Sequence, residues 1–302
     1  MRVAIRGPDR TWPVDRTPYR PGAEVGQREG HAHGGAVLNR QFFFIIADSE
    51  LELIPEELLN ERCILNNARA RGKAPEKILL DASHHHPAFT KLRDSDRRGR
   101  PDIIHFYLML CLDSDISAQG RLRTFVHTRN DDVIAINPET RLPPSFPRFV
   151  GLIETVFEKQ IVPSTENPLL ELRQKVPLAT LVQALKPDTV IVMDSDGEKV
   201  EMLPEKFANI EGERVVVIVG GFSKGTFRSD LSKLKHIRYS LGDRMMKVWT
   251  VTAKVLCAID LSEKMTGMFE KKPEPKTATK EKAKPKPKKA SKPRPVPKKK
   301  AA

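Results

Sequence analysis

The stretch RVVVIVGGFSKGTF, Arg214 to Phe227, decides how the rest of the chain is read. Its first half is an unbroken apolar run rich in β-branched residues. A run with no polar alternation is a strand covered on both faces, as in a parallel sheet layered between helices. The run stops at Gly220 and Gly221, and Gly225 follows. Glycines there let backbone come close to a ligand and leave amides free to bond it. An ordinary strand-to-helix turn has the same composition, so the turn alone leaves both readings open. It has neither the phosphate-loop spacing nor G-x-G-x-x-G, so the standard nucleotide fingerprints are absent.

Outward from this strand the same texture recurs. FFFIIAD (Phe42–Asp48), KILLDAS (Lys77–Ser83) and TVIVMDS (Thr189–Ser195) read as further buried strands, and IRYSL (Ile237–Leu241) as a last short one. Helical patterns alternate with them. Pro55 opens one that runs to Gly72, and Pro101 opens DIIHFYLMLCLDSD with Asp102 in its first turn. RFVGLIETVFEKQ and LATLVQAL follow, and KVWTVTAKVLCAI closes the series with an apolar face through Val248, Val251, Val255 and Ile259. LRTFVHT and DVIAINP read as a hairpin about Arg129–Asp131, and with the next helix they look like an insertion near 120–160. The expectation is an α/β domain over 41–262 with a mostly parallel sheet.

The flanks differ. Residues 1–40 are rich in Gly, Pro and Arg without periodicity, and 263–302 mix Lys, Pro and Ala; both are expected to be disordered extensions. The net charge is +13, but 262–302 hold fifteen Lys/Arg against four Asp/Glu, so the part between the extensions is close to neutral. The tail can attract any polyanion without sequence information. Site-specific nucleic-acid contact must come from local arginines. No apolar run is long enough to span a membrane, and the N-terminus lacks the apolar core of a secretory signal. Three scattered cysteines suit a reducing cytosol and give neither a disulfide framework nor zinc spacing.

Two further segments draw attention. DASHHHPAFTKLRDSDRRGRPDIIH (81–105) places Arg97, Arg98, Arg100 and Asp102 just before a helix, an arrangement that favours phosphate; a solvated charged loop is the alternative. Adjacent His84, His85 and His86 are poor ligands for one ion, so no metal is expected. NPETRLPPSFPRF (137–149) flanks a proline-rich turn with Arg141 and Arg148, which proline can hold toward a partner at reduced entropic cost. Asp48, Asp81 and Asp194 follow buried strands, where lone carboxylates are common turn residues. No nucleophile–base set is evident. These observations lead to an α/β protein with arginine-rich loops, with nucleotides and RNA as candidate ligands.

A resemblance narrows this. RRGRPDIIH (97–105), NPETRLP (137–143), FPRFVGL (146–152), VIVGGF (217–222) and WTVTAKVL (249–256) occur in the order and context of the essential-for-mitotic-growth family, over about residues 41–260. These are archaeal and eukaryotic pseudouridine-N1 methyltransferases of small-subunit rRNA with a role in small-subunit biogenesis. The resemblance implies a SPOUT-class fold with a C-terminal trefoil knot and the 120–160 insertion. It also implies a homodimer, a cytoplasmic or nucleolar place, and ribosomal assembly proteins as further partners. The implied cofactor is S-adenosyl-L-methionine, held by Gly220, Gly221 and Gly225, by the stretch Arg238, Tyr239, Ser240, Leu241, Gly242 and Asp243, and by the loop near Met193. The implied RNA contacts are Arg100, Arg141, Arg148 and Arg98. Asp102 either stabilises Arg100 or takes the N1 proton. This chain departs from the family at Ser223–Lys224, and at Pro144, where a third basic residue is usual. The competing reading is a non-catalytic assembly factor that binds rRNA through the same arginines.

Overall fold

A computed structural model describes residues 40–269; the expected extensions at 1–39 and 270–302 lie outside the described residues. The described strands are β1 (Gln41–Ser49), β2 (Leu122–Thr128), β3 (Val133–Ile136), β4 (Ile161–Pro163), β5 (Pro168–Arg173), β6 (Thr189–Lys199), β7 (Arg214–Gly220) and β8 (Ile237–Ser240). They form one sheet in the order β4-β5-β3-β2-β1-β7-β6-β8. From β2 to β8 the pairs are parallel, while β3, β5 and β4 add on antiparallel. The helices are α1 (Arg62–Arg71), α2 (Ala82–His85), α3 (Pro101–Leu112), α4 (Asp115–Ala118), α5 (Phe146–Lys159), α6 (Leu178–Ala184), α7 (Leu203–Ala208) and α8 (Val248–Phe269).

The central strands are apolar throughout because both faces are covered. Phe42, Phe44, Ile46, Val215, Val217 and Val219 pack with side chains of α3, α5, α7 and α8. Phe43, Ile45, Val216 and Ile218 pack on the other face with α6 and the 231–234 turn. Each such side chain stabilises by about 1.5–3 kcal/mol relative to exposure. The register of β1 on β7 runs from Gln41 opposite Arg214 to Ala47 opposite Gly220. Met193 lies opposite both Val219 and Tyr239. The expected ligand segments therefore emerge together at the carboxyl edge of the parallel strands, where open α/β sheets bind ligands.

Several expectations are corrected. KILLDAS is not a strand: apart from an isolated bridge between Leu79 and Leu53, it joins a 3₁₀ turn to α2. Its residues are buried because Leu79 faces the main core while Ile78 and Leu80 face a satellite cluster with Leu58 and Ile64. Within the expected insertion, β2 pairs in parallel with β1 and so belongs to the central sheet, while β3, β4, β5 and α5 extend it. The helix expected from Pro55 begins as a 3₁₀ turn and becomes α1 only at Arg62, ending at Gly72 with φ of +60°. α8 continues past 262 to Phe269. β4, β5 and α7 are additional.

The segment leaving β1 organises this edge. Asp48, Ser49, Glu50 and Glu52 are all buried. Asp48, at φ of +52°, accepts bonds from the backbone N–H of Arg228 and Ser229 at 2.6 and 3.0 Å. Glu52 takes two guanidinium bonds from Arg98, at 2.7 and 2.6 Å. Arg98 is only 9% exposed and also lies near Glu57. Its expected RNA contact is thus corrected: its donors tie the loop before α3 to β1.

Removing one partner of a buried pair leaves the other charge uncompensated. Arg98→Ala is expected to cost about 3–5 kcal/mol of folding stability. An unchanged urea midpoint would refute that assignment.

Candidate functional site

A cavity of about 200 Å³ opens where β7 and β8 end, beside the middle of β6. Its walls come from two turns and that strand. The turn after β7 contributes Gly220, Phe222, Ser223 and Gly225; the one after β8 contributes Ser240, Leu241, Gly242 and Met246; Met193 and Asp194 come from β6. Arg100 and Ile103 close the side toward α3, and Trp249 and Val251 the side toward α8. A wider groove of about 680 Å³ lies elsewhere, along β2, β3 and β5, with Arg141 on its rim. It lacks the glycine turn, so size alone does not identify the ligand site.

Backbone shape explains why glycine stands at two positions. A Cβ on Gly220 would lie 2.6 Å from the ring of Phe222. Gly225 has φ of +76°, and a Cβ there would press on Arg97 at 3.3 Å. Arg97 in turn lies over Phe222, 4.4 Å from the ring centroid, and Phe222 meets Phe227 edge to face at 5.3 Å. The loop is braced by the guanidinium of Arg97 on an aromatic pair, and both rings also line the cavity.

Not every expected residue lines the cavity. Gly221 does not: its N–H donates to Ala47 O at 2.7 Å and its carbonyl accepts from Glu50 N at 3.1 Å. A Cβ there would strike Ile46 and Ser49 at 2.7 Å, so this glycine serves strand packing. Arg238 points away, with Nε bonded to His236 Nε2 at 3.0 Å and Nη1 3.6 Å from Asp194. Asp243 is exposed and paired with Lys199. Tyr239, Ser240, Leu241, Gly242 and Met193 do line it. Phe222, Met246 and Trp249 also line it and were not singled out from sequence; an aromatic directly after Gly-Gly was the available signal for the first.

Of the arginines expected to meet RNA, Arg141 lines the wider groove and Arg100 lines this cavity. Arg100 contributes to its wall while Nε and Nη2 grip both oxygens of Asp102 at 2.8 and 2.7 Å. This bond holds the guanidinium above its ordinary pKa. With both oxygens engaged, Asp102 serves orientation better than proton abstraction. Arg141 and Arg148 are exposed, on the loop after β3 and in the first turn of α5, with Pro144 exposed between them. His105 of α3 holds that turn: Nε2 lies 3.0 Å from Pro143 O, and its ring stacks on Phe149 at 4.4 Å. Lower on α5, buried Glu154 receives Arg71, Lys73 and the N–H of Leu79. His85, in the histidine run, is buried and accepts from Asp81 N at 3.0 Å, with its pKa pushed down to about 4 by burial.

A turn of close-approach glycines and backbone groups beside the ends of β7 and β8 suit a nucleoside ligand. Arg100 and Arg244 both line the cavity, Arg100 at the start of α3, where a second, anionic ligand could be presented. The sequence matches the family model of the EMG1/NEP1 methyltransferase over residues 44–260. It is 44% identical over 225 residues to the ribosomal RNA small subunit methyltransferase Nep1 of Pyrococcus furiosus, covering 74% of this chain and 98% of that protein. The Nep1 of Methanothrix thermoacetophila is 40% identical over 212 residues, covering 70% and 92%. The fold matches the crystal structure of Archaeoglobus fulgidus Nep1 bound to S-adenosylhomocysteine, with a TM-score of 0.65, 35% identity, and coverage of 74% of this chain and 99% of that one.

A β-branched residue at positive φ is strained, and at 225 it would also crowd Arg97. Gly225→Val is expected to weaken S-adenosylhomocysteine binding at least about tenfold, near 1.4 kcal/mol. Asp243→Ala should bind as the parent does. Equal loss in both, measured by isothermal titration, would contradict the assignment.

Proposed function

The chain belongs to the EMG1/NEP1 methyltransferase family, and from that premise we propose that it transfers the methyl group of S-adenosyl-L-methionine to N1 of one pseudouridine in small-subunit rRNA. One observation carries this reading: Arg100, set by Asp102, stands in the wall of a glycine-turned cavity, in a fold shared with a relative bound to S-adenosylhomocysteine. Gly220, Gly225 and the Tyr239–Gly242 stretch would hold the donor, and Met193 would close its floor.

The donor supplies an electrophilic methyl on sulfonium. The N1–carbon bond forms as the sulfur–carbon bond breaks, and the N1 proton leaves to water. The chain's own part is placement. Arg141 and Arg148 would bind RNA phosphates, and Arg100 would fix the nucleotide whose base enters the cavity. Bases in single-stranded loops are splayed out at low cost, which suits such a target. Alignment of nucleophile and methyl then supplies most of the rate. Asp102 acts as a positioning residue.

The same reading takes the C-terminal part as knotted and the protein as a homodimer working with ribosomal assembly proteins in the cytoplasm. Exposed Phe106, 5.3 Å from Trp249 at the cavity rim, and exposed Met245 suit the surface of a second copy. Among the described residues no helix is long and apolar enough to cross a membrane.

The test is methylation of a pseudouridine-containing RNA stem-loop, with uridine in its place as control. Transfer to pseudouridine alone is expected. RNA binding without transfer would favour the assembly-factor reading. Arg141→Ala and Arg148→Ala should each weaken RNA binding and flatten the slope of log K against log salt by about 0.7. Asp102→Asn should lose RNA binding and methylation together; methylation lost with RNA binding intact would make Asp102 the base instead.

A further inference from the structure

Glu50 is a buried carboxylate that the fold leaves half satisfied. It directly follows β1 and is 1% exposed. Its Oε1 accepts the backbone N–H of Ser223 at 2.7 Å, and the Ser223 hydroxyl lies 2.9 Å from it. Its Oε2 is buried without a hydrogen-bond partner. On one side stand Arg97 and Arg100, whose charges favour the ionised form. Arg97 does not complete the pair, since its own Nε and Nη2 are buried without acceptors. A buried half-paired carboxylate is costly, and packing alone would be served better by an apolar residue.

Its partner belongs to the cavity. Ser223 sits between Phe222 and Gly225 in the wall. Ser223–Lys224 is also where this chain departs from the family it resembles. Both residues of the departure are tied down: the Ser223 hydroxyl also reaches Asp96 O at 2.9 Å, and Lys224 Nζ lies 3.8 Å from the Asp96 carboxylate.

We propose that Glu50 is a positioning residue for the methyl donor, its carboxylate fixing the Phe222–Gly225 turn against the cavity through Ser223. This rests on the reading that the turn holds the donor. A bond from a backbone N–H to an ionised carboxylate is about twice as strong as one to a neutral acceptor, so the charge itself stiffens the loop.

Burial is the largest influence on this carboxyl and raises its pKa, while the two Ser223 bonds pull the other way. The folded state therefore holds the proton more tightly than the unfolded chain. Stability attributable to this group falls as pH rises from its ordinary value through the raised one. At neutral pH the ionised group lowers fold stability while it grips the turn. The charged groups acting on it are Arg100 and Arg97, with Asp96 and Lys224 beside Ser223 and with Asp48 and His127 on the neighbouring strands; burial pushes His127 below its ordinary value.

The experiment titrates the full chain with S-adenosylhomocysteine and follows urea unfolding beside it. Glu50→Gln is expected to bind about tenfold more weakly at neutral pH, the size of one lost charge-assisted bond, with an unfolding midpoint equal to or above the parent's. KM for the donor should rise more than kcat falls. Parent affinity should decline as pH falls through the raised pKa of Glu50, whereas Glu50→Gln should stay flat. Ser223→Ala keeps the N–H and should lose affinity less, with no further loss on adding it to Glu50→Gln. Parent-like affinity and pH profile in Glu50→Gln overturn the proposal, as does weakened binding that only tracks a lowered midpoint. If Glu50→Gln does not fold, parent-like binding by Ser223→Ala overturns it. Failure of the parent chain to bind, or intact binding in Gly225→Val, instead removes the loop reading on which the proposal stands.

Discussion

Four buried polar side chains at the end of β1 hold the working edge of the sheet together. Asp48 caps the 228–229 turn, and the Ser49 hydroxyl donates to His127 O at 2.9 Å. Glu50 takes Ser223, and Glu52 takes Arg98. Asp48 and Glu50 fix two points of the segment after β7, Ser49 fixes β2, and Glu52 fixes the loop before α3. A buried polar group without a partner is costly, so each bond also specifies where its partner must sit. The apolar faces of β1 would tolerate many arrangements of the loops above them, but these four side chains tolerate few.

Two kinds of recognition are thereby brought to one place by different means. The turn proposed to hold the donor is built from backbone, with Gly220 and Gly225 standing where a side chain would press on Phe222 or Arg97. The contacts proposed for RNA are guanidiniums on separate elements, Arg100 at the start of α3 and Arg148 at the start of α5. The first is rigid because it is strand-end geometry. The second is held by packing between helices, where His105 stacks on Phe149 and Glu154 anchors α5 to the segment before α2. Arg100 belongs to both sides. A bidentate carboxylate restrains it, whereas Arg141 and Arg148 are exposed.

Much of this was legible in the chain itself. Val215–Val219 read as a doubly covered strand because nothing polar interrupts it, and it is the neighbour of β1. Arg100 and Asp102, two apart at a helix start, read correctly as a pair. KILLDAS misled because consecutive burial has two physical origins: a central strand has it, and so does a connector wedged between two clusters, and periodicity cannot separate them. Gly221 and Gly220 are identical as letters, yet register puts one against Ser49 and the other into the cavity. Arg98 and Arg100 show the same limit. Which arginine turns inward depends on Glu52, far away in sequence and buried among apolar residues. The run DSELE straight after FFFIIA carried a signal that went unused: charge crowded against a core strand needs partners.

The position of β1 has a consequence for biosynthesis. It is the first described strand to be made, and its neighbours are β2 and β7. β7 begins at Arg214, so one edge of a largely apolar strand has no native partner until most of the chain has left the ribosome. Local contacts such as the β2–β3 hairpin can form early, but the carboxyl edge closes only after long-range pairing, which is slow. A nascent chain halted before Arg214 would expose an unpaired, hydrophobic ribbon of the kind chaperones bind. Maturation of a protein in this family of rRNA-modifying enzymes therefore begins with its own C-terminal third acting as the lid on its oldest strand.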